Sequence, residues 1–302
     1  MKRLMILLSG MLLLAASVPA LAKVHVFACQ SEWAALAREI GGDRVEIYPA
    51  TTGLQDVHRI QARPSLIARA RNADLLVCSG AELEAGWLPL ILQQAGNRKI
   101  QPGQPGHLEA AEFAQMREVP TVVDRSMGDV HPRGNPHLHW DPSNIRTIAR
   151  VVAQRLGQID PGGAQDYSER LADFEQRWGQ AVEKWRQRAV PLRGTHVIEH
   201  HRALTYLFAW LDMPIVGSLE PKPGVEPTSS HLSSLVRQQS STPARLIVRT
   251  PVNNPKAAQW LSQQTKLPVV EVPYSVGSTP GAKDLFGMYE DAISRLLGAV
   301  RS

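Results

Sequence analysis

The sequence predicts an α/β protein of two lobes, each with a small parallel sheet flanked by helices, joined by one long backbone helix. Short β-rich segments alternate with helical segments in the first half of the chain, and the same alternation resumes in the second half. Strands that alternate with helices indicate parallel βαβ units. Between the halves, apolar residues recur at helical spacing from about 161 to 189, which predicts the long helix.

The first half predicts three clear strands and two helices. The strands are KVHVFA (23–28), RVEIYP (44–49) and ADLLVCSG (73–80), and the helices are PSLIARAR (64–71) and AELEAGWLPLILQQAG (81–96). Gly96 ends the second helix, and the NRKIQ segment after it is interpreted as a fourth short strand. The region from Pro102 to Pro136 is rich in glycine and proline. It is long for a structureless connection, so we expect it to be functional or partly ordered.

Two helices are predicted between the lobes. The first begins at Asp141-Pro142, an N-cap followed by a proline at the first helical position, and Gly157 ends it. The second begins at Asp160-Pro161 and continues for about 40 Å at the rise of an α-helix. It is either a rigid connector between two domains or one long core or coiled-coil helix. The return of strand–helix alternation after it favours the connector.

The second half predicts four strands and four helices in alternation. In chain order they are THVIEH (195–200), RALTYLFAWL, MPIVGS, HLSSLVRQQ, ARLIVRT, PKAAQWLSQQT, LPVVEVP and DLFGMYEDAISRLLG. The predicted organisation is a signal peptide at 1–22, an N-terminal lobe at 23–140, connecting helices at 141–192 and a C-terminal lobe at 193–302.

The first 22 residues have the pattern of a secretory signal peptide. Lys2 and Arg3 precede an apolar run, and ALA precedes Lys23, so we expect cleavage after Ala22 and a periplasmic mature protein. The apolar run is short for a membrane span and no second run follows it, so stable membrane insertion is not expected. The net charge of +5 is mild and no basic cluster is interleaved with aromatic residues, which argues against nucleic-acid binding.

The sequence contains two cysteines, and each ends a predicted strand. Cys29 and Cys78 would be near neighbours in a parallel sheet. In an oxidising compartment they could form a disulfide, or they could remain two buried thiols. The sequence leaves both alternatives open.

Several histidines lie in loops that the predicted fold would bring close together. His58 lies in the loop after RVEIYP, His137 and His139 lie in the loop that leaves the N-terminal half, and His200 and His201 end the first strand of the C-terminal half. The carboxyl ends of strands in open parallel sheets face the binding crevice. Because imidazole is the commonest neutral ligand for metals such as zinc, these segments suggest a metal site in that crevice.

Four segments together give a family resemblance. QDVHRIQARPS, ADLLVCSGAELE, GNPHLHWDPSNI and EHHRALTYL resemble, in this order, the zinc- and manganese-binding solute receptors of ABC importers. The resemblance implies a monomeric receptor, not an enzyme, that hands its metal to an inner-membrane ABC permease driven by a cytoplasmic ATPase. By motif, it also implies that His58, His137 and His201 bind the metal.

The sequence departs from the family at the fourth, acidic ligand. Tyr274 stands where that acid is often found, and Thr250 stands at the other acidic position. A fourth ligand would then be water, Glu199, His139 or another group. For His139 a solvent-facing role is favoured over an auxiliary one. Asp56 could orient the imidazole of His58 without touching the metal.

Three histidines without a carboxylate favour Zn²⁺ over Mn²⁺, which prefers more oxygen ligands. Cu²⁺, Ni²⁺ and Co²⁺ should also bind in vitro. The segment from Gly106 to Gly134 occupies the position at which zinc receptors of this family often carry a histidine-rich loop. Here it contains only two histidines, His107 and His131. The alternative hypotheses are a periplasmic mono-zinc enzyme and a metal chaperone or adhesin that uses the same three histidines.

Overall fold

The computed structural model describes residues 22–301, so the predicted signal peptide lies outside the described residues except for Ala22. The N-terminal lobe is built on a four-stranded parallel sheet with the order β2-β1-β3-β4. Its strands are β1 (Val24–Ala28), β2 (Val45–Pro49), β3 (Leu75–Cys78) and β4 (His107–Glu109). Within the described residues, no helix is both long and apolar enough to span a membrane.

The other elements of this lobe differ from the predicted ones in three places, two helices and one strand. The helices are α1 (Ser31–Gly41), α2 (Pro64–Arg71) and α3 (Leu88–Ala95). Sequence analysis did not identify α1, although most of its side chains are buried. The helix predicted from 81 begins only at Leu88, because Ala81 and Glu82 have φ angles of 49° and 66°, which an α-helix cannot contain. The predicted strand NRKIQ was also wrong: Arg98–Ile100 is a 3₁₀ turn.

The connecting helices are α4 (Pro142–Ile159) and α5 (Ala164–Arg188). The predicted cap of α4 is confirmed, since the Asp141 carboxylate accepts a hydrogen bond of 2.8 Å from the Ser143 amide. The helix continues past Gly157, so the predicted end was two residues early. A 3₁₀ turn at Pro161–Gly163 precedes α5, which contains 25 residues and is therefore about 37 Å long.

The C-terminal lobe repeats the architecture with a parallel sheet of order β6-β5-β7-β8. Its elements are β5 (Val197–Glu199), α6 (Thr205–Trp210), β6 (Ile215–Ser218), α7 (Ser229–Gln238), β7 (Leu246–Arg249), α8 (Pro255–Thr265), β8 (Val269–Glu271) and α9 (Leu285–Arg301). The predicted α/β fold class with two lobes is confirmed. Residues 202–204 form a turn rather than the predicted start of a helix, and His201 lies in this turn region rather than on the strand.

The long helix α5 is part of the hydrophobic core as well as a connector. Its buried face includes Phe174, Trp178 and Trp185, and α9 contributes Phe286 and Tyr289 to the same aromatic cluster. The Trp185 and Tyr289 rings stack with centroids 5.1 Å apart. This cluster belongs to one apolar core that also contains strand residues of both sheets. The two interpretations of this helix were therefore not exclusive.

The structure also decides between the two alternatives for the cysteines. Cys29 and Cys78 form a disulfide. Both are fully buried, and the bond joins the carboxyl ends of β1 and β3. It therefore links two chain segments at the edge of the sheet from which the loops of the N-terminal lobe emerge.

Candidate metal centre

Three histidines from separate segments bring their ring nitrogens together between the lobes. His58 lies in a 3₁₀ turn after β2, His137 precedes the turn Leu138–Trp140 that leads into α4, and His201 follows β5. One ligand atom of each residue lies within 4.8 Å of those of the other two. The ring centroids are 5.3 to 5.5 Å apart. The sequence expectation that these three segments share one cleft therefore agrees with the geometry.

An oxygen atom holds the Nδ1 nitrogen of each ring. His58 Nδ1 lies 2.9 Å from Asp56 Oδ1, and His137 Nδ1 lies 3.0 Å from Asn135 Oδ1. His201 Nδ1 lies 2.8 Å from Glu220 Oε2. Hydrogen bonds of this kind fix the tautomer and the orientation of a metal-ligating imidazole. They place the Nδ1 proton against oxygen and leave Nε2 with its lone pair available.

The Nε2 atoms of His58 and His137 are buried and have no hydrogen-bond partner among the described residues. An unpartnered nitrogen in a buried position costs free energy, so such atoms are uncommon unless they serve a function. Both residues belong to the group of three histidines that each bring one ring nitrogen within 4.8 Å of the others. A divalent cation at this place would satisfy them.

Two residues of the site were missed by sequence analysis. Asn135 directly precedes the proline of the NPH segment. Its side-chain oxygen Oδ1 also accepts a hydrogen bond of 3.0 Å from the His137 backbone N–H. Glu220 follows β6 by two residues and accepts from the Gly224 backbone N–H at 2.8 Å. An acid just after a parallel strand lies at the binding edge of the sheet. That position was the available signal for Glu220.

The environment moves the pKa values of the site in different directions. Burial, together with the neighbouring imidazoles, lowers the pKa of His137 well below its ordinary value and keeps this ring neutral. Burial also acts to lower the pKa of His201, but the Glu220 carboxylate outweighs it and raises that pKa. Burial acts to raise the pKa of Asp56, whereas the hydrogen bond from His58 lowers it, so the carboxylate stays ionised.

The expectation that His139 faces solvent was wrong. Its side chain is 4% exposed, with Nδ1 3.2 Å from Glu32 Oε1 of α1. Its Nε2 atom lies 3.3 Å from the backbone oxygen of Tyr274 in the C-terminal lobe. The reason is that Leu138–Trp140 forms a buried 3₁₀ turn rather than an extended segment, which turns the ring into the lobe interface. His139 does not belong to the group of converging nitrogens.

Glu199 and Tyr274 are near the site but also outside that group. Glu199 is fully buried, and burial raises its pKa to about 8. The Tyr274 ring lies 6.1 Å from that of His137 and lines a cavity of about 40 Å³ with Asp56, His58 and His201. Burial raises the pKa of Tyr274 well above its ordinary value, so its hydroxyl is neutral. This position therefore offers no anionic ligand.

Nearly all of the described chain matches a known family. The model of the family described as zinc-uptake complex component A, periplasmic, matches residues 26–299. The chain belongs to this family. Two similar curated proteins are the manganese ABC transporter substrate-binding lipoprotein PsaA of Streptococcus anginosus, 22% identical, and the metal ABC transporter substrate-binding lipoprotein ScbA of Streptococcus cristatus, 21% identical. Each match covers 82% of this chain and 78% of the relative.

Solved structures of the same architecture support the fold. A crystal structure of ZnuA is 18% identical, has a TM-score of 0.74, and the match covers 92% of this chain and 99% of that one. A manganese-bound periplasmic metal-binding protein from Candidatus Liberibacter asiaticus is 17% identical with a TM-score of 0.74, and covers 92% and 100% of the two chains. At these identities the likeness shows the fold.

Family membership establishes the general activity. The protein is a metal-binding receptor of an ABC importer, because its family and its curated relatives are substrate-binding components of such systems. It is a transport receptor rather than an enzyme. Receptors of this class work with a membrane permease and an ATPase. Among the described residues, His58, His137 and His201 form a group whose ligand atoms all lie within 4.8 Å of one another.

Proposed function

We propose that this protein is a periplasmic zinc receptor, which binds Zn²⁺ through His58, His137 and His201 and delivers it to an inner-membrane permease. Residues 1–22 direct its export, and the mature chain acts as a monomer. The observation that carries the proposal is the set of three converging imidazoles, each with Nδ1 held by an oxygen atom. Imidazole nitrogens suit zinc, and a ligand bound through Nε2 with an oxygen behind Nδ1 is the usual arrangement.

Zinc is proposed rather than manganese because of the kind of ligand. The carboxylates of Asp56 and Glu220 are hydrogen-bonded to Nδ1 of two imidazoles, and the converging group itself consists of histidines only. Manganese prefers carboxylate, carbonyl and water oxygens, whereas imidazole suits zinc. The curated relatives named for manganese do not change this argument, because at about one-fifth identity the site residues have to be judged in this chain.

The first experiment is elemental analysis of the mature protein purified without a histidine tag, followed by calorimetric competition among Zn²⁺, Mn²⁺ and Cu²⁺. We expect one tightly held zinc ion per chain and weaker binding of manganese. Preferential, stoichiometric retention of manganese would overturn the choice of metal.

The ligand assignment is tested by comparing two histidine variants. His201→Ala should lower zinc affinity roughly 100-fold or more, beyond the ~10–100-fold typical of residues behind the ligands. His139→Ala should have a much smaller effect, because its ring contacts Glu32 and the Tyr274 backbone instead of the centre. Equal losses in the two variants would show that the ligand in the NPHLH segment was assigned wrongly.

A further inference from the structure

Asn135, the residue that holds Nδ1 of His137, has a protein partner for each of its polar atoms. Its backbone N–H donates to the Arg117 oxygen at 2.8 Å, and its backbone oxygen accepts from the Tyr206 hydroxyl at 2.7 Å. Its side-chain oxygen Oδ1 accepts from the His137 backbone N–H and lies 3.0 Å from Nδ1 of the same residue. Asn135 is only 8% exposed, so its amide can turn only by breaking hydrogen bonds that water would not replace.

Two acceptors hold the nitrogen of the Asn135 amide. Nδ2 donates to Glu118 Oε2 at 2.8 Å and to the Arg202 backbone oxygen at 2.7 Å. An amide nitrogen carries two N–H groups, and these two hydrogen bonds use both of them. If the amide were reversed, its oxygen would face a carboxylate and a carbonyl, neither of which can donate. The two acceptors therefore keep Oδ1 directed at His137.

We propose that Glu118 is a positioning residue for metal binding, which fixes the tautomer of His137 by fixing the Asn135 amide. This inference rests on the proposed function, since it concerns a ligand of the same centre. With Oδ1 as the acceptor, the proton of the neutral imidazole lies on Nδ1, and Nε2 has the lone pair that a metal requires. With the amide reversed, its N–H would donate to Nδ1. The imidazole proton would then lie on Nε2, where it prevents metal binding.

The carboxylate of Glu118 is itself held from the other lobe. The Arg202 guanidinium donates to Oε1, and Thr205 Oγ1 donates to Oε2 at 3.3 Å. The pairing with a guanidinium is charge-assisted, and hydrogen bonds of this kind are stronger than those between neutral groups. Arg202 directly follows His201 in the chain. Glu118 therefore connects the segment that carries His137 with the segment that carries His201.

The backbone at Glu118 has a conformation that residues other than glycine rarely adopt. Its φ angle is 54°, in the left-handed region, and such a conformation persists only where the surrounding contacts enforce it. The contacts are present on the preceding residue, since the Arg117 backbone N–H donates to the Tyr206 hydroxyl at 3.0 Å. On the facing segment, a methyl group on Gly134 would collide with the Arg117 oxygen. Backbone contacts as well as side chains therefore hold Glu118 beside Asn135.

The competing explanation is that Glu118 only forms an ion pair with Arg202. The two side chains are 29% and 39% exposed, and ion pairs with this exposure contribute little to stability. An ion pair alone would leave the tautomer of His137 unchanged when Glu118 is removed. Any effect on zinc affinity would then also be independent of Asn135. The two explanations therefore differ in the tautomer and in the coupling between the two residues.

The test combines ¹⁵N NMR of the histidine rings in the metal-free protein with zinc competition titration. In the wild type we expect the proton of His137 on Nδ1. In Glu118→Ala we expect a mixture of the two tautomers and a zinc affinity about 10-fold lower, at the lower end of the ~10–100-fold typical of residues behind the ligands. Glu118→Met, which retains side-chain length without its oxygens, should behave alike and guards against a loss of folding. Glu112→Ala removes an exposed acid of the same segment and is the matched control.

A double-mutant cycle with Asn135→Ala tests the route of the effect. If Glu118 acts through Asn135, Glu118→Ala should cause no further loss of zinc affinity in the Asn135→Ala background. An undiminished further loss there, or a wild-type tautomer of His137 in both Glu118 variants, would overturn the inference. Failure of the proposed function has a different signature, because the tautomer is measured without metal. In that case the wild type would bind no stoichiometric zinc, whatever the state of His137.

Discussion

At the scale of single residues, the oxygen atoms behind the ligand rings differ in charge. Asp56 and Glu220 are carboxylates, whereas Asn135 offers a neutral amide oxygen. A carboxylate behind an imidazole makes the opposite nitrogen a stronger base and compensates part of the charge of the cation. The centre therefore places two negative charges behind its ligands and none within the group of converging nitrogens.

We expect Glu220→Gln to lower zinc affinity ~10–100-fold at neutral pH, because His201 loses the carboxylate that orients it and raises its pKa. Competition with a chromophoric chelator measures this change. Glu226→Gln is the matched control, since Glu226 is an exposed acid six residues further along the chain. An equal loss in both variants would mean that Glu220 acts only through the overall charge of the loop.

Glu84 is a buried acid whose titration should make stability depend on pH. It accepts hydrogen bonds from the Ser79 and Gly80 backbone N–H groups, and burial raises its pKa from the ordinary 4.5 to about 7. The folded state therefore holds this proton more tightly than the unfolded state. The corresponding stabilisation of the folded state is complete at pH values below the pKa of Glu84 in the unfolded chain. It is lost as the pH rises through the folded-state pKa of about 7.

We therefore expect the free energy of unfolding of the wild type, relative to Glu84→Gln, to fall by about 2–3 kcal/mol between pH 5 and pH 8. Chemical denaturation in the presence of a chelator measures both proteins over this range and removes the contribution of metal binding. Because the other titrating groups are the same in both proteins, their contributions to the free energy of unfolding cancel in the difference. Parallel stability profiles for the two proteins would show that Glu84 does not change its charge in this interval.

The sequence was sufficient to group the three histidines but not to place every neighbour. His58, His137 and His201 follow from motifs and from the rule that strand ends meet at one edge. Asn135 acts through the direction of its side chain, which spacing along the chain does not encode, whereas the position of Glu220 just after β6 was a signal that the sequence analysis did not use. The solvent-facing expectation for His139 failed because a buried 3₁₀ turn directs its ring into the lobe interface, which spacing along the chain does not indicate.

At the scale of elements, the buried face of α5 stabilises the connection between the lobes. Trp178 has 0% exposure, and its ring stacks on Phe174 with centroids 5.5 Å apart. Its indole N–H donates to the Pro142 oxygen at the start of α4, at 2.9 Å. The residue therefore joins two connecting helices through both apolar contact and a buried hydrogen bond.

Trp178→Ala should lower the free energy of unfolding by about 3–5 kcal/mol, as large-to-small changes of buried aromatic residues do. Urea denaturation measures the loss. Trp260→Ala is the control, because Trp260 of α8 is 36% exposed and should cost about 1 kcal/mol or less. Similar costs for the two variants would contradict the assignment of α5 to the core.

The accuracy of the predicted elements follows from the strength of their local signals. Helix α8 was predicted with its observed bounds, because Pro255 at the first turn and Asn254 as N-cap mark its start. The segment from 81 to 87 has a helical composition, but two left-handed residues start a turn there, and no sequence period indicates them. Strand β4 is only three residues long, which is too short to show an alternation of apolar and polar residues.

At the scale of the whole molecule, the two lobes share contacts that resist separation. Their common apolar core includes residues of both sheets and of α4, α5 and α9. Near the site, Ser31 Oγ lies 2.6 Å from Ser275 Oγ and donates to the Val276 oxygen at 2.7 Å. Gly53 approaches the Val276 backbone so closely that a methyl group would collide with it. Large hinge motion would have to break these contacts.

We therefore expect metal binding to change the position of the two lobes relative to each other only slightly. Closure about a flexible hinge needs a few residues that absorb large backbone rotations, whereas here a 25-residue helix packs against elements of both lobes. Electron–electron distance measurements between spin labels at Arg71 of α2 and Gln264 of α8 test this directly, since both positions are exposed. The metal-free and zinc-loaded distributions should overlap. A second, longer distance population without zinc would show that the shared core opens, and metal release would then have to be explained by lobe opening rather than by local rearrangement around the histidines.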